Sequence, residues 1–182
     1  MSQLFFVGGP SKSGTTWLRD LLDLHPEISC KGESHVTTML WLPLMEVVKR
    51  YNGFLELITE EQADSTQDFL PIQGGELRDL LASTYLRRLD TVGHGGAGFI
   101  GEKTPAHADS VHLIFKVFPD TRYIGLTRDP RTFLVSRIHH DARFDRLSGG
   151  RDATAIAADL NYVTRWAGIW KRRMHFFEEV RR

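Results

Sequence analysis

The hydrophobic positions of the chain alternate between short continuous runs and stretches with helical spacing. Residues 4–9 (LFFVGG) form an apolar run that ends in glycine, which is typical of a buried parallel strand leading into a tight turn. From Thr15 the spacing is helical as far as His25-Pro26, where the helix is predicted to end. Four apolar residues share the predicted buried face of this helix: Trp17, Leu18, Leu21 and Leu22. Strand, glycine-rich loop and helix follow in the order that a phosphate-binding site requires.

The rest of the chain continues this alternation. Further strands are predicted within residues 27–33, 99–105 and 122–130, and a surface loop over residues 60–75. Helices are predicted over residues 37–58, 76–90, 107–118, 131–144 and 152–182. Strands that alternate with helices predict an α/β fold in which helices flank a central parallel β-sheet. At 182 residues, the chain is expected to form a single domain over residues 1–182.

Polar residues follow each predicted strand. Lys12 comes after the first strand, Glu33 after the second, Glu102 and Lys103 at the end of the third, and Arg128 after the fourth. Ligands of parallel α/β sheets bind outside the carboxyl ends of the strands. The spacing therefore predicts that these side chains converge on one site.

The first loop departs from the nucleotide-binding pattern G-x-x-x-x-G-K-[ST]. Gly9 and Gly14 have the required spacing, but Thr15 stands where the lysine belongs, and Lys12 lies inside the loop. The lysine and the Mg²⁺-binding carboxylate of a nucleotide hydrolase are missing from their usual places. This arrangement favours a transfer reaction that needs no metal.

Two motifs carry a resemblance to the sulfotransferases that use 3′-phosphoadenosine 5′-phosphosulfate (PAPS). Their 5′-phosphosulfate loop reads roughly P-K-[SA]-G-T-T-W-L, and this chain has Pro10, an extra Ser11, and then KSGTTWL over residues 12–18. Their 3′-phosphate motif is a strand that ends in arginine, followed by [ND]-P and a serine eight residues after the arginine. Residues 123–140 match it with Arg128 and Ser136. The resemblance implies a three-layer P-loop-type fold and these donor-binding residues: Ser11, Lys12, Ser13, Gly14, Thr15, Thr16, Trp17, Arg128 and Ser136.

Two shorter segments resemble catalytic segments of glycan sulfotransferases. Glu33-Ser34-His35 is similar to an E-x-H segment whose glutamate takes the acceptor proton, so Glu33 is the expected base and His35 the alternative. Residues 102–105 (EKTP) are similar to an E-K-[ST]-P segment of heparan-sulfate-type enzymes. By that resemblance Lys103 neutralises developing charge, while Glu102 orients Lys103 or a sugar hydroxyl. Lys12 is expected to donate to the bridging oxygen of the departing phosphate.

The composition limits the classes of molecule that the protein is expected to bind. The 23 basic and 23 acidic residues balance, so no global field attracts nucleic acid or an anionic membrane. No stretch reaches the roughly 18 apolar residues of a membrane span. The single cysteine, Cys30, excludes an intramolecular disulfide and fits a reducing compartment, and without a matched histidine–carboxylate pair it is not expected to be a nucleophile. We expect a cytoplasmic protein.

The resemblance implies direct in-line transfer of a sulfuryl group from PAPS to a hydroxyl or amine of a carbohydrate or small molecule. It extends over about residues 4–170, and family members commonly continue past this point with another strand, so a C-terminally truncated domain is expected. Two alternatives are a P-loop nucleotide kinase, which would turn over ATP with Mg²⁺, and a catalytically inactive nucleotide-binding fragment. The acceptor and the oligomeric state are not specified by the sequence.

Overall fold

Four parallel strands form the centre of the protein. A computed structural model describes residues 2–61, 69–147 and 150–180. The strands are β1 (Gln3–Gly8), β2 (Ile28–Lys31), β3 (Phe99–Lys103) and β4 (Arg122–Gly125). They pair in the order β2-β3-β1-β4, and every pairing is parallel. Because β1 and β3 are the two inner strands, each of them pairs with a neighbour along both of its edges.

Helices connect the strands and pack on both faces of the sheet. The first connection is α1 (Thr15–Asp23), and a π-helical turn (Thr37–Trp41), α2 (Leu42–Glu61) and α3 (Gly74–Asp90) lie between β2 and β3. A 3₁₀-helix (Pro105–Asp109) and α4 (Val111–Val117) lead to β4. After β4 come α5 (Pro130–Leu147), α6 (Ala153–Ala158) and α7 (Leu160–Val180). None of these helices, within the described ranges, is long and apolar enough to cross a membrane.

The two faces of β1 organise the core. Phe6 points to one face, where it packs with buried residues of the π-helical turn, α3 and α4, among them Trp41, Tyr85 and Ile114. Phe5 and Val7 point to the other face, where α1 lies. This alternation follows from the period of two in a strand. The predicted α/β fold, with a central parallel sheet flanked by helices, is confirmed.

The predicted strands all form, but several boundaries differ. The fourth strand ends at Gly125, and the helix predicted over residues 107–118 is divided into the 3₁₀-helix and α4. In the region predicted as a loop over residues 60–75, α2 runs to Glu61 and α3 begins at Gly74. Residues 62–68 lie outside the described residues.

The prediction of one long helix over residues 152–182 is wrong. The helix is broken at Asp159, whose backbone is extended (ψ 100°). Its carboxylate accepts hydrogen bonds from the amides of Asn161 (3.0 Å) and Tyr162 (3.2 Å), so it caps the start of α7. Leu160, the first residue after this break, is 78 % exposed.

Only two of the four residues on the predicted buried face of α1 pack against the sheet. Leu18 and Leu22 pack against Phe5, Val7 and Cys30. In contrast, Trp17 is 68 % exposed and Leu21 is 49 % exposed. Adjacent helical residues are turned by about 100°, so the row of Trp17 and Leu21 turns away when its neighbours face the sheet.

We predict that Gly101→Ala destabilises the fold. A Cβ at Gly101 would lie 2.3 Å from the carbonyl oxygen of Phe5 and 2.7 Å from its ring, so two inner strands would have to separate. The expected loss is about 1–3 kcal/mol in the free energy of unfolding, measured by urea denaturation. Gly98→Ala is the control, because its Cβ would meet nothing closer than 3.9 Å. Equal stability of the two variants would contradict the prediction.

Candidate active site

The loop between β1 and α1 has the backbone shape of an anion cradle. Lys12 (φ 71°) and Gly14 (φ 96°) adopt left-handed conformations, and the Ser13 amide donates to the Pro10 carbonyl at 3.2 Å. Gly14 has no side chain with which to cap α1, so the first amides of the helix remain available to a ligand. These amides and the positive end of the helix dipole favour a phosphate.

Arg128 links residues 9–16, the glycine-rich loop and the start of α1 that we call the phosphate loop, to the start of α5. Its Nη1 donates to the Lys12 carbonyl (2.7 Å), and its Nε donates to Thr132 Oγ1 (3.1 Å) on α5. Trp170 of α7 donates through Nε1 to the Arg128 carbonyl at 2.9 Å. Lys12 and Thr132 therefore hold the guanidinium beside the loop, and Trp170 holds the backbone of the same residue.

Asp129 caps α5 rather than pointing into the site. Its carboxylate accepts hydrogen bonds from the Arg131 amide (2.9 Å) and the Thr132 amide (3.3 Å). The hydrogen bond from the Arg131 guanidinium lowers the pKa of Asp129 to about 2. The carboxylate that follows Arg128 in the sequence thus fixes the start of the helix that carries Ser136.

The two motifs meet in one cleft of about 540 Å³. Its walls come from the phosphate loop, the segment after β2, the start of the 3₁₀-helix and α5. The lining residues are Ser11, Lys12, Gly14, Thr15, Thr16, Glu33, Pro105, Arg128, Ser136, Arg137 and His140. Most of the predicted donor-binding residues therefore share this cleft, although their roles stay predictions. Of the others, Ser13 turns its hydroxyl to the Pro10 carbonyl (2.6 Å), and Trp17 lies on the surface.

A buried lysine contacts two of the residues that line the cleft. Lys103 is 2 % exposed, and its Nζ donates to Thr16 Oγ1 (3.2 Å) and to a carboxylate oxygen of Glu33. A buried ammonium must be paired, and Glu33 supplies the opposite charge. His35 approaches the second oxygen of Glu33, with Nε2 at 3.2 Å. The predicted base, its alternative and the predicted cation thus form one contiguous group.

This arrangement suits transfer to a hydroxyl. Glu33 lines the cleft and keeps a side-chain exposure of 37 %, so an entering hydroxyl could reach it. Lys103 joins Glu33 to Thr16 of the phosphate loop, which puts the predicted base and the anion cradle side by side. Cations placed where negative charge develops stabilise a transition state.

Arg137 was missed by sequence reasoning, although it lines the cleft. It pairs with Asp141 at 2.7 Å and stacks over the ring of Trp166 at 4.1 Å. Partial burial opposes ionisation of Asp141, but hydrogen bonds from Tyr162 and His140 and the charge of Arg137 outweigh it, so the pKa of Asp141 is lowered. The signal available in the sequence was the i, i+4 spacing of Arg137 and Asp141 on a helix.

The adjacent histidines of α5 separate in the structure. His140 lines the cleft one turn after Ser136, whereas His139 is exposed. In the part of the chain that the structure describes, no three histidine, cysteine or carboxylate side chains are grouped as metal ligands would be.

Comparison with known proteins identifies the family. A sequence model of the sulfotransferase family matches residues 5–182, so the chain belongs to this family. It is 29 % identical over 170 residues to protein-tyrosine sulfotransferase 1 of Homo sapiens, covering 93 % of this chain and 40 % of that protein. It is 31 % identical over 153 residues to protein-tyrosine sulfotransferase 1 of Danio rerio, covering 82 % of this chain and 39 % of that protein. The chain thus spans about 40 % of the length of these relatives.

A solved structure is similar in fold. The crystal structure of sulfotransferase STF9 from Mycobacterium avium superposes with a TM-score of 0.50 at 16 % sequence identity. The match covers 99 % of this chain and 56 % of that chain. At this identity the similarity supports the three-layer P-loop-type fold.

We predict that Cys30 is unreactive in the folded chain. It is 1 % exposed on β2, and burial, reinforced by the nearby Asp23 carboxylate, raises the pKa of its thiol to about 12. Only the thiolate reacts, so iodoacetamide at pH 8 should label the folded chain at least roughly a hundredfold more slowly than the urea-unfolded chain. Equal labelling rates, followed by mass spectrometry, would contradict the prediction.

Proposed function

We propose that this chain transfers a sulfuryl group from PAPS to a hydroxyl acceptor. The observation that carries the proposal is the convergence of the phosphate loop, the Arg128–Ser136 motif and the Lys103–Glu33 pair on one cleft. Membership of the sulfotransferase family supports the reaction class.

The residues of the cleft fit a nucleotide with phosphates at two positions. The loop amides, Thr15 and Thr16 would hold the 5′-phosphosulfate, and Arg128 and Ser136 would hold the 3′-phosphate. Hydroxyls, amides and a guanidinium with its planar set of donors are the groups that bind phosphate oxygens best. PAPS supplies an activated sulfuryl group, and a second phosphate site distinguishes it from ATP-like donors.

Three side chains have separate roles in the proposed transfer. Glu33 takes the proton of the acceptor hydroxyl as that oxygen bonds to sulfur. Lys12 donates a hydrogen bond to the bridging oxygen that leaves with the phosphate, where negative charge grows. Lys103 stabilises charge near the sulfuryl group and holds the Glu33 carboxylate in place.

Two observations favour different acceptors for the proposed reaction. The E-x-H and E-K-T-P segments favour a carbohydrate, whereas the relatives in Homo sapiens and Danio rerio are named for protein tyrosine. Both acceptors offer a hydroxyl to the same base. A tyrosine-containing peptide is therefore the first acceptor to test, with an oligosaccharide beside it.

Binding of 3′-phosphoadenosine 5′-phosphate should raise the melting temperature of the chain. At about 100 times the Kd, mass action adds about 2.7 kcal/mol, which corresponds to a shift of roughly 5 °C or more in a chain of this size. Arg128→Ala and Lys12→Ala should lose the shift, because each removes a cation from the cleft.

The controls for this titration are charge-matched. Lys116 and Arg78 are exposed on α4 and α3, away from the cleft, so Lys116→Ala and Arg78→Ala should keep the shift. A shift produced only by ADP with Mg²⁺ would favour a nucleotide kinase. No shift with either nucleotide would contradict the proposed donor site.

Glu33→Gln should lower kcat by at least about a hundredfold while the affinity for 3′-phosphoadenosine 5′-phosphate stays within twofold. The amide keeps an oxygen for Lys103 but cannot take a proton. The measurement is release of 3′-phosphoadenosine 5′-phosphate from PAPS with each acceptor. His35→Asn is the comparison, and a larger loss in that variant than in Glu33→Gln would assign the base to His35.

A further inference from the structure

A buried carboxylate–imidazole pair lies next to the cleft without lining it. Glu102 is 2 % exposed and His107 is 0 % exposed, and His107 Nε2 contacts a carboxylate oxygen of Glu102. Neither side chain has a part in the mechanism above. Buried charged groups are costly unless they are paired, so their retention here calls for a structural reason.

The pair lies on the opposite side of β3 from Lys103. Successive side chains of a strand point to opposite faces, and while Lys103 reaches Thr16, Glu102 turns toward the face of Phe6. There the His107 ring meets the Phe6 ring edge-on, with centroids 5.3 Å apart. Thr104 Oγ1 adds a hydrogen bond to Glu102 at 3.3 Å. The carboxylate is therefore held rigidly from the core side.

From this position the pair contacts the segment that carries the proposed base. The Ser34 amide donates to Glu102 Oε2 at 3.2 Å. Thr37 Oγ1 lies 3.2 Å from His107 Nδ1, and Thr37 is fully buried. A neutral imidazole that donates through Nε2 has a lone pair on Nδ1, which accepts a hydrogen bond from the threonine hydroxyl.

The two contacts lie on either side of a strained residue. His35 has a left-handed backbone (φ 52°), which a residue with a Cβ adopts only when its surroundings enforce it. Ser34 precedes His35 and Thr37 follows it by two positions. The two contacts thus hold the chain on both sides of the strained residue, and Glu33 directly precedes Ser34.

We propose that Glu102 and His107 are positioning residues that form a clamp on residues 34–37. Their contacts with Ser34 and Thr37 hold this turn in place and thereby orient the Glu33 carboxylate toward Lys103 and the cleft. The link to catalysis rests on the proposed function, whereas the clamp itself does not. A clamp of this kind affects turnover more than donor binding, because Arg128 is held by the Lys12 carbonyl and by Thr132 instead of by Glu102 or His107.

Thr37 offers the cleanest test. Replacing Glu102 would leave a buried histidine without its partner, but Thr37→Val removes only a hydroxyl and nearly preserves the side-chain shape. Thr37→Ser restores the hydroxyl. Thr121→Val is the matched control, since Thr121 is also buried and donates to a backbone carbonyl (Leu4, 2.9 Å) at the opposite end of β1.

The first readout is amide hydrogen exchange in the full chain, followed by mass spectrometry. In Thr37→Val, exchange over residues 33–37 should be at least about tenfold faster than in the wild type, while β1 is unchanged. Thr37→Ser should restore slow exchange, and Thr121→Val should leave residues 33–37 unaffected. Unchanged exchange in Thr37→Val, or equally faster exchange in β1, overturns the proposal.

The second readout is turnover of PAPS with the tyrosine-containing peptide and the oligosaccharide. Thr37→Val should lower kcat about tenfold, with KM for PAPS within twofold, and Thr37→Ser should recover the rate. An unchanged kcat despite faster exchange also overturns the positioning role. If the wild-type chain turns over neither acceptor, the proposed function is contradicted. The hydrogen-exchange result then tests by itself whether Glu102 and His107 hold residues 34–37 in place.

Discussion

The ion pair between Lys103 and Glu33 is the interaction on which the site depends. Lys103 ends an inner strand and is almost completely buried, so its ammonium needs a negative partner close by. Glu33 supplies that charge from the segment after the neighbouring strand, and Thr16 of the phosphate loop shares the same ammonium. One buried cation thus ties together three segments that are far apart in the sequence. In the proposed reaction the same cation stabilises charge beside the base.

Around this pair, the parallel sheet sets the positions of the remaining groups. The strand order β2-β3-β1-β4 places the loops after β2, β3, β1 and β4 side by side at one edge. Arg128 then reaches the Lys12 carbonyl across 116 positions of sequence, and Trp170 holds the backbone of Arg128 from α7. The cleft is therefore supported from the phosphate loop, α5 and α7 together, and Arg137 is braced at its edge by Asp141 and Trp166.

Sequence reasoning predicted the parts of the fold that depend on local patterns. Strand positions, the glycine-rich turn and the start of α1 follow from hydrophobic runs and from residues such as Gly14 that tolerate a left-handed backbone. The sequence-based predictions were wrong where the environment of a single residue overrode the hydrophobic pattern of a whole helix. The helical period continued through Asp159, but its carboxylate caps a new helix, and the apolar Trp17 turns away from the sheet because Leu18 and Leu22 occupy the contact.

The sequence by itself determined the kinds of group in the candidate site and the strand after which each one lies. A strand that leads into a glycine-rich loop, and a second one that is followed by an arginine, place their polar residues at the same edge of any parallel sheet. Only the tertiary structure decided which groups touch: Lys103 with Glu33, Glu102 with the Ser34 amide, and His107 with Thr37. The last two contacts join positions about 70 residues apart through the packed interior. Such contacts depend on side-chain packing, which leaves no periodic signal in the chain.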